Sequence, residues 1–340
     1  MQRRFLLVFF LSLSMAACSS ADGVDLKRGD FGLLYTSSIE RDASFVVTDE
    51  QGEIQSSVNF KGRGVERIGS DGNGGYLLPA TLGDETRAHV DHRGKLSVVA
   101  GYREHTFADT QEGVQLILYN TGMEENTIEI HKGDQVRKNA LPSLTRSALV
   151  YGTHVYIAID ANKNSYLYII DSESGKVKKR VRMPNQLGAA DDMKLFQGKI
   201  VMATQGNSQG YSANHLLVFD PKTEEIKKVF LEKDTTPQFL AVDGDDLYVS
   251  TEEGFLFKLD RDYQVQKRVK EGEAEEDRYL QRIQIKGKKV YTLTTMPRGS
   301  EKRSGYIGIF DKQTMKRDKR VDLPIIRDTS VSDFVLLEKR

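Results

Sequence analysis

Short apolar runs, each closed by an aspartate or another polar residue and then a turn, recur along this chain. The seven closing positions lie 42, 40, 40, 49, 40 and 51 residues apart. Alternating runs of this length predict β-strands, so the pattern predicts an all-β chain built from a repeat of ~40–50 residues. Clear copies are residues 44–49, 168–171, 217–220, 257–260 and 308–311, and weaker copies end at Asp91 and His131.

The clearer copies contain further strands in a constant order. Asp and Gly stand between the runs, where Asp caps its own turn and Gly accepts positive φ. Four strands in each of seven repeats predict a seven-bladed β-propeller, with short apolar inner strands and a charged outer strand at the rim. The predicted strands are 147–150, 155–159, 166–170 and 176–181 in the fourth copy, and 239–242, 247–250, 255–259 and 265–269 in the sixth.

The two ends of the repeat array indicate how the ring closes. The first unit has only three strands, starting at residues 33–36, and residues 333–337 form a strand without a unit of its own. Pairing this C-terminal strand as the inner strand of the first blade would complete seven blades and leave no open edge between the chain ends. We therefore expect a closed ring.

The repeat resembles that of the seven-bladed YVTN and quinoprotein-like propeller families. Residues 248–260 (YVSTEEGFLFKLD) are similar to their repeat, as are the stretches ending at Asp171 and Asp220. The chain has no Trp, so the Trp-containing motifs of quinone-dependent and WD40 propellers are absent. Because propellers with this repeat include lactone hydrolases and assembly scaffolds, the resemblance implies a fold and leaves the function open.

Composition narrows the classes of function. The 340 residues include 49 Lys+Arg and 49 Asp+Glu, one Cys and 39% hydrophobic residues, with no net charge. These values exclude a disulfide-stapled scaffold and a disordered chain. They also give no electrostatic attraction to nucleic acid, so we expect no nucleic-acid partner.

The N-terminal segment predicts that the protein is located outside the cytoplasm. Arg3 and Arg4 precede an apolar stretch, residues 5–15, and the segment Met15-Ala16-Ala17-Cys18 resembles the lipobox of bacterial lipoproteins. Lipidation would explain the single cysteine and would anchor the protein to the outer side of a membrane. This would be an outer membrane if the host has one. The alternative is a plain signal peptide that contains a cysteine. The predicted organisation is a signal peptide over residues 1–17, the lipidated Cys18 with a polar tether to residue 30, and a propeller over residues 31–340.

The two longest repeat intervals come from insertions between the second and third strands, at residues 205–214 and 296–305. Equivalent propeller loops share one face, which also holds the starts of the inner strands around the central channel. We predict a possible ligand-binding site at this channel mouth, formed by Glu66, Arg146, Asp192, Gln238, Gln281 and Asp333. The alternative is that these groups pair with one another and with water.

Other motifs give weaker signals. Residues 206–210 match G-x-S-x-G but lead into a strand, whereas that motif needs a strand-to-helix turn. Residues 160–171 resemble a calcium loop without its glycine and final glutamate, so a turn role for Asp171 suffices. His89 and His92 point to opposite faces of a regular strand. We therefore expect no metal and no cofactor.

The sequence favours a lipid-anchored propeller that acts as a binding or scaffolding module for an unknown protein, peptide or glycan. A second hypothesis is a lactonase-like hydrolase that uses Glu66, Asp192 and Asp333 at the channel mouth. Arg146, Arg67 and Arg282 would oppose a cation there. A third hypothesis is an assembly factor of an outer membrane.

Overall fold

A computed structural model describes most of the chain after the first 22 residues. The described residues are 23–80, 86–100, 104–120, 125–142, 145, 147–161, 164–184, 190–204, 214–271, 279–296, 303–326 and 329–338. They form seven antiparallel four-stranded sheets arranged as a ring, and no helix occurs among them. The described residues accordingly include no helix that could cross a membrane. The predicted all-β, seven-bladed propeller is confirmed.

Blade 1 combines the two ends of the chain, and blades 2 and 3 follow in order. Their strands are β1 (Phe31–Thr36), β2 (Ala43–Thr48), β3 (Ile54–Phe60), β4 (Gly69–Ser70), β5 (Tyr76–Pro79), β6 (Thr86–Val90), β7 (Leu96–Ala100), β8 (Glu104–Gln111), β9 (Val114–Asn120), β10 (Glu125–Lys132) and β11 (Gln135–Pro142).

Blades 4 to 7 repeat the same up-and-down order. Their strands are β12 (Ala148–Tyr151), β13 (His154–Ala161), β14 (Asn164–Asp171), β15 (Val177–Arg182), β16 (Ala190–Phe196), β17 (Lys199–Thr204), β18 (His215–Phe219), β19 (Ile226–Phe230), β20 (Pro237–Asp243), β21 (Asp246–Thr251), β22 (Phe255–Leu259), β23 (Val265–Lys270), β24 (Tyr279–Lys286), β25 (Lys289–Thr295), β26 (Gly305–Asp311) and β27 (Arg317–Leu323). The last strand, β28 (Ser330–Leu336), returns to blade 1.

The hydrophobic core lies between blades rather than within a central layer. Each cluster of buried apolar side chains joins two neighbouring sheets: Leu34 and Phe45 of blade 1 pack with Leu78 and Val90 of blade 2. The middle strands are therefore apolar on both faces, while the outer strand β15 (VKKRVR) is mostly exposed. Among the described residues, the smallest cluster joins blades 2 and 3 and contains Leu77, Ala108 and Ile117.

The repeated aspartates terminate the third strand of a blade by capping the turn that follows. One Oδ of Asp49 accepts hydrogen bonds from the N–H groups of Gln51 and Glu53, both at 2.9 Å. Asp260 makes the equivalent pair with Asp262 and Gln264, also at 2.9 Å. Satisfying these N–H groups explains why Asp recurs at this position.

The C-terminal strand closes the ring as predicted. β28 pairs antiparallel with β1, with Phe31 opposite Leu336 and Leu34 opposite Asp333. The Leu337 N–H extends the pairing by donating to the Asp30 carbonyl at 2.9 Å. β28 therefore covers the edge of β1 that would otherwise be unpaired.

The packed part of the chain begins earlier than the sequence indicated. We predicted a tether up to residue 30, but Gly23 bridges Lys95 and the Val24 N–H donates to the Gly94 carbonyl at 2.8 Å. Val24 is buried in the cluster between blades 1 and 2. Glycine at position 94 permits this approach, because a Cβ there would stand 1.8 Å from the Val24 carbonyl oxygen.

Candidate functional site

The channel-mouth face of the propeller is defined by the starts of the inner strands and the ends of the second and fourth strands of each blade. The two predicted insertions follow β17 and β25, on this face. Most of their residues, including the G-x-S-x-G string, lie outside the described part of the chain. At the base of the second insertion, the Met296 N–H donates to the Ser304 carbonyl at 3.0 Å and closes the hairpin.

Asp192 starts the regular part of the blade 5 inner strand and is buried. One carboxylate oxygen accepts the Met193 N–H at 2.9 Å and the Lys194 ammonium at 3.2 Å. The other accepts the Leu240 N–H of blade 6 at 3.0 Å. Burial tends to raise the pKa of Asp192, but Lys194, Arg282 and the Leu240 N–H outweigh burial, so its pKa is lowered and the carboxylate stays charged.

Asp333 occupies the equivalent place in blade 1 and makes the same kind of link. One oxygen accepts the Phe334 N–H at 2.8 Å and pairs with Arg282 Nε at 3.1 Å. The other accepts the Ile68 N–H of blade 2 at 2.8 Å. Burial raises the pKa of Asp333, and the Arg282 charge only partly offsets this effect. Both aspartates thus bond one inner strand to the next.

Two guanidinium groups lie across the centre of the channel mouth. Arg67 of blade 2 donates from Nη2 to the Asp191 carbonyl of blade 5 at 2.6 Å, which joins opposite sides of the ring. Arg67 and Arg282 both stand over the Phe239 ring, 6.0 and 5.7 Å from its centroid. Burial and the neighbouring Arg282 charge lower the pKa of Arg67. The sequence had suggested these two arginines only as charges that oppose a cation.

The six predicted channel-mouth residues are brought together only in part. Asp192, Asp333 and Gln238 are buried at inner strands, whereas Glu66 is exposed. The Gln238 Oε1 atom accepts no hydrogen bond within the described part of the protein. Arg146 and the Gln281 side chain lie outside the described residues.

This arrangement suits a structural link better than hydrolysis. All four carboxylate oxygens of Asp192 and Asp333 accept hydrogen bonds from backbone or cationic groups of the same chain. Each carboxylate oxygen has two acceptor positions, so these bonds hold both side chains in place without using every lone pair. No group of three or more His, Cys, Asp or Glu side chains that could hold a metal occurs among the described residues.

The remaining sequence motifs also take structural roles where the structure describes them. Asp171 Oδ1 accepts the Ser174 N–H and hydroxyl, both at 2.8 Å, as a turn cap does. His89 bonds the Asp71 carboxylate at 2.8 Å, while the exposed His92 contacts Arg93. Residues 162–163 of the calcium-like loop lie outside the described chain.

The face opposite the channel mouth carries two clefts that the sequence did not indicate. Both border the end of the closing strand, at Leu336 and Glu338, and they measure about 540 and 580 Å³. Tyr76 and Arg93 line the first, and Tyr291 lines the second. Only ring closure brings these residues together, because they come from blades 7, 1 and 2.

No protein-family model matches the sequence, and no curated protein matches it either. Solved structures do share its architecture. A protein of unknown function from Desulfotomaculum acetoxidans is 12% identical with a TM-score of 0.62, covering 89% of this chain and 99% of that one.

Two other solved structures have the same architecture. Apo AztD from Citrobacter koseri is 13% identical with a TM-score of 0.57, covering 89% of this chain and 97% of that one. BamB from Moraxella catarrhalis is 13% identical with a TM-score of 0.55, covering 86% of each chain. Likeness at this identity extends to the fold alone, and on this ground the chain is a seven-bladed β-propeller.

Proposed function

We propose that the protein is a lipid-anchored binding or scaffolding module on the extracytoplasmic side of a bacterial membrane. The observation that supports this function best is the use of Asp192 and Asp333 as links between blades, because it gives two of the candidate catalytic residues at the channel mouth a structural role. The scaffold is a closed ring of seven blades, from whose strands the connecting loops start. Such a scaffold suits recognition of a protein, peptide or glycan.

The anchor is tested at Cys18. In cells that process lipoproteins, we expect the mature chain to start at Cys18, to carry acyl groups and to sediment with membranes. The Cys18→Ser variant should lose both the acyl groups and the processed N-terminus, as measured by intact mass and by fractionation in detergent. An unmodified Cys18 in a processed chain would refute the anchor.

The location of the binding surface is tested by comparing variants on the channel-mouth face and on the opposite face of the propeller. We expect a variant in which a short Gly-Ser linker replaces residues 205–214 to lose the partner captured from cross-linked envelope membranes. The matched control, Arg93→Glu on the opposite face, should retain that partner. Loss with the control and retention with the linker variant would place binding at the opposite clefts.

A further inference from the structure

The first of the two clefts opposite the channel mouth, here called the Arg93 cleft, lies between blades 1 and 2 and measures about 540 Å³. Its lining combines two cations, Lys27 and Arg93, with the Glu338 carboxylate. The Tyr76 ring and the Ser70 hydroxyl lie in the same lining. A concave site of this size, with an aromatic wall and a few charged groups, is typical of small-molecule binding.

Two capped turns of blade 2 form one side of the Arg93 cleft. In the β6–β7 turn, an oxygen of Asp91 accepts the Arg93 N–H at 2.9 Å. In the β4–β5 turn, Asp71 accepts the Gly75 N–H at 2.8 Å and bonds His89 of β6 at 2.8 Å. These bonds hold both turns in place, so binding a ligand would not require their ordering.

The segment before β1 and the end of β28 form the other side of the cleft. The Val24 N–H donates to the Gly94 carbonyl at 2.8 Å, which ties the segment that carries Lys27 to the β6–β7 turn. The Leu337 N–H donates at 2.9 Å to the carbonyl of the residue before β1, directly ahead of Glu338. Every wall of the cleft is thus bonded to its neighbour.

The two cations of the cleft have no acidic partner among the described residues. The adjacent Arg28, by contrast, pairs with Asp25 at 3.0 Å and lies outside the lining. Arg93 Nε donates to His92 Nε2 at 3.3 Å, a contact that brings no negative charge. An anionic group in the cleft would therefore meet Lys27 and Arg93, and a guanidinium binds a carboxylate through two parallel hydrogen bonds.

Glu338 restricts which anions fit the cleft. Its exposed carboxylate repels a compact dianion such as phosphate, but it accepts hydrogen bonds from neutral donors such as hydroxyl groups. The Tyr76 ring is stacked on Phe45, with centroids 5.6 Å apart, and gives the lining a fixed apolar surface. The lining therefore favours a ligand with one carboxylate, several hydroxyl groups and a compact ring.

We propose that the Arg93 cleft binds an acidic sugar, a pyranose ring that carries one carboxylate. Lys27 and Arg93 bind the carboxylate, Glu338 and Ser70 bond ring hydroxyl groups, and Tyr76 contacts the apolar face of the ring. The cleft lies on the face opposite the proposed partner-binding face. The inference therefore does not rest on the proposed function and gives the protein a second binding surface.

Calorimetric titration of the full-length protein with trigalacturonate tests this proposal. The matched control ligand is the methyl ester, which keeps the rings and nearly all hydroxyl groups but has no charge. We expect the ester to bind at least tenfold more weakly, and binding of the acid to weaken with added salt because exposed charges are screened. Equal affinities for acid and ester, or no binding at millimolar sugar, would overturn the proposal.

Variants locate the site. Lys27→Gln combined with Arg93→Gln should weaken trigalacturonate binding at least tenfold and leave binding of the ester unchanged. The matched control is Arg28→Gln, an exposed cation next in sequence that should bind the acid as the natural chain does. All three side chains are exposed, so both variants should fold, as checked by their melting temperatures. Unchanged binding in the double variant would refute the site.

Two further probes separate an acidic sugar from other anions. Inorganic phosphate, and a capped tripeptide with a central aspartate, should each bind at least tenfold more weakly than trigalacturonate. Glu338→Gln should strengthen phosphate binding, because the repulsion from its carboxylate is removed. Phosphate or the peptide binding as tightly as the sugar to the natural chain would overturn the assignment of an acidic sugar.

The two binding surfaces can fail separately. The variant with a Gly-Ser linker in place of residues 205–214 should bind trigalacturonate with unchanged affinity, and Arg93→Glu should lose the sugar while it retains the envelope partner. Loss of sugar binding in the linker variant would refute the location in the Arg93 cleft. Absence of sugar binding together with normal partner capture would overturn this inference and leave the proposed function intact.

Discussion

Two buried aspartates, Asp192 and Asp333, show how single residues hold the ring together. Each accepts a backbone N–H from the next inner strand and each lies beside a cation. Their pKa values move in opposite directions: the pKa of Asp192 is lowered and that of Asp333 is raised. Asp333 therefore depends more on its neighbour, Arg282, to stay charged in a buried position.

Removing the Asp333 carboxylate should destabilise the protein strongly. Asp333→Ala leaves the mostly buried Arg282 guanidinium without its hydrogen-bonded carboxylate, and removing one partner of a buried pair typically costs about 3–5 kcal/mol. The measurement is the free energy of unfolding in urea. The control is Asp322→Ala, because the Asp322 side chain is 59% exposed beside Arg320 and such pairs contribute about 0–1 kcal/mol. Similar losses in both variants would contradict the structural role of Asp333.

Two buried histidines should make stability fall in mild acid. Burial lowers the pKa of His105 and of His215 to about 4, with Arg87 and Lys228 adding to the effect. The unfolded chain then binds protons more readily than the folded chain, so stability is lost as the pH falls from about 6.5 to 4.

His215 offers the clearer test, because its ring packs 5.3 Å from Phe230. At pH 4, His215 should lower the free energy of unfolding of the natural chain by roughly 3 kcal/mol relative to neutral pH. His215→Leu should abolish this loss, as measured by urea unfolding at a series of pH values. His92→Leu, at an exposed position, should leave the slope unchanged. An unaltered slope in His215→Leu would show that the folded protein protonates this histidine as readily as the unfolded chain does, so that burial does not lower its pKa.

At the scale of elements, the interface between blades 2 and 3 depends on close backbone approach. Strand β4 has only two residues, and a Cβ at Gly69 would stand 1.7 Å from the Ala108 carbonyl oxygen of β8. The apolar cluster at this interface is the smallest among the described residues. The fit between β4 and β8 therefore matters more here than side-chain burial.

Gly69→Ala should push β4 away from β8 and destabilise the protein by about 1–3 kcal/mol. Thermal unfolding measures the loss, and Ser57→Ala on β3 provides a control for a small change elsewhere. Faster proteolysis should appear first in blades 2 and 3. A melting temperature equal to that of the control would mean that the two strands can separate without cost.

At the scale of the whole molecule, closure joins the two ends of the chain through one sheet. β28 pairs with β1, and blade 7 adds a further link because Gln284 Nε2 donates to the Phe334 carbonyl at 2.6 Å. The inner strand of blade 1 thus touches blades 7 and 2 as well as its own sheet. The seven blades should therefore unfold together in one cooperative transition rather than one by one.

Deletion of residues 333–340 should open this ring. Without the inner strand of blade 1, Arg282 loses its partner and β1 becomes an exposed edge, so we expect broad, non-cooperative unfolding and association of the truncated chains. Calorimetry and sedimentation measure the two effects. Deletion of residues 339–340 alone is the control. A single sharp transition at the natural temperature in the longer deletion would refute closure as a source of cooperativity.

The blades could be predicted because their signals are local. The runs ending at Asp171 and Asp260 mark third strands and their turns, and each strand needs only its own apolar pattern to be recognised. Spacing placed Asp192 and Asp333 near the channel, but their hydrogen bonds to Leu240 and Ile68 depend on which strands become neighbours.

The sequence by itself determined the strands and their turns, because periodic polarity and turn chemistry act over a few residues. The pairing of tail with head followed from the strand count, since the first unit lacked one strand and the C-terminal strand had no unit of its own. The tertiary structure decided what those residues do. Arg67 meets the Asp191 carbonyl 124 positions away, and the clefts beside Leu336 combine three blades. Such contacts arise from curvature and ring closure, which fix distances that spacing along a chain does not encode.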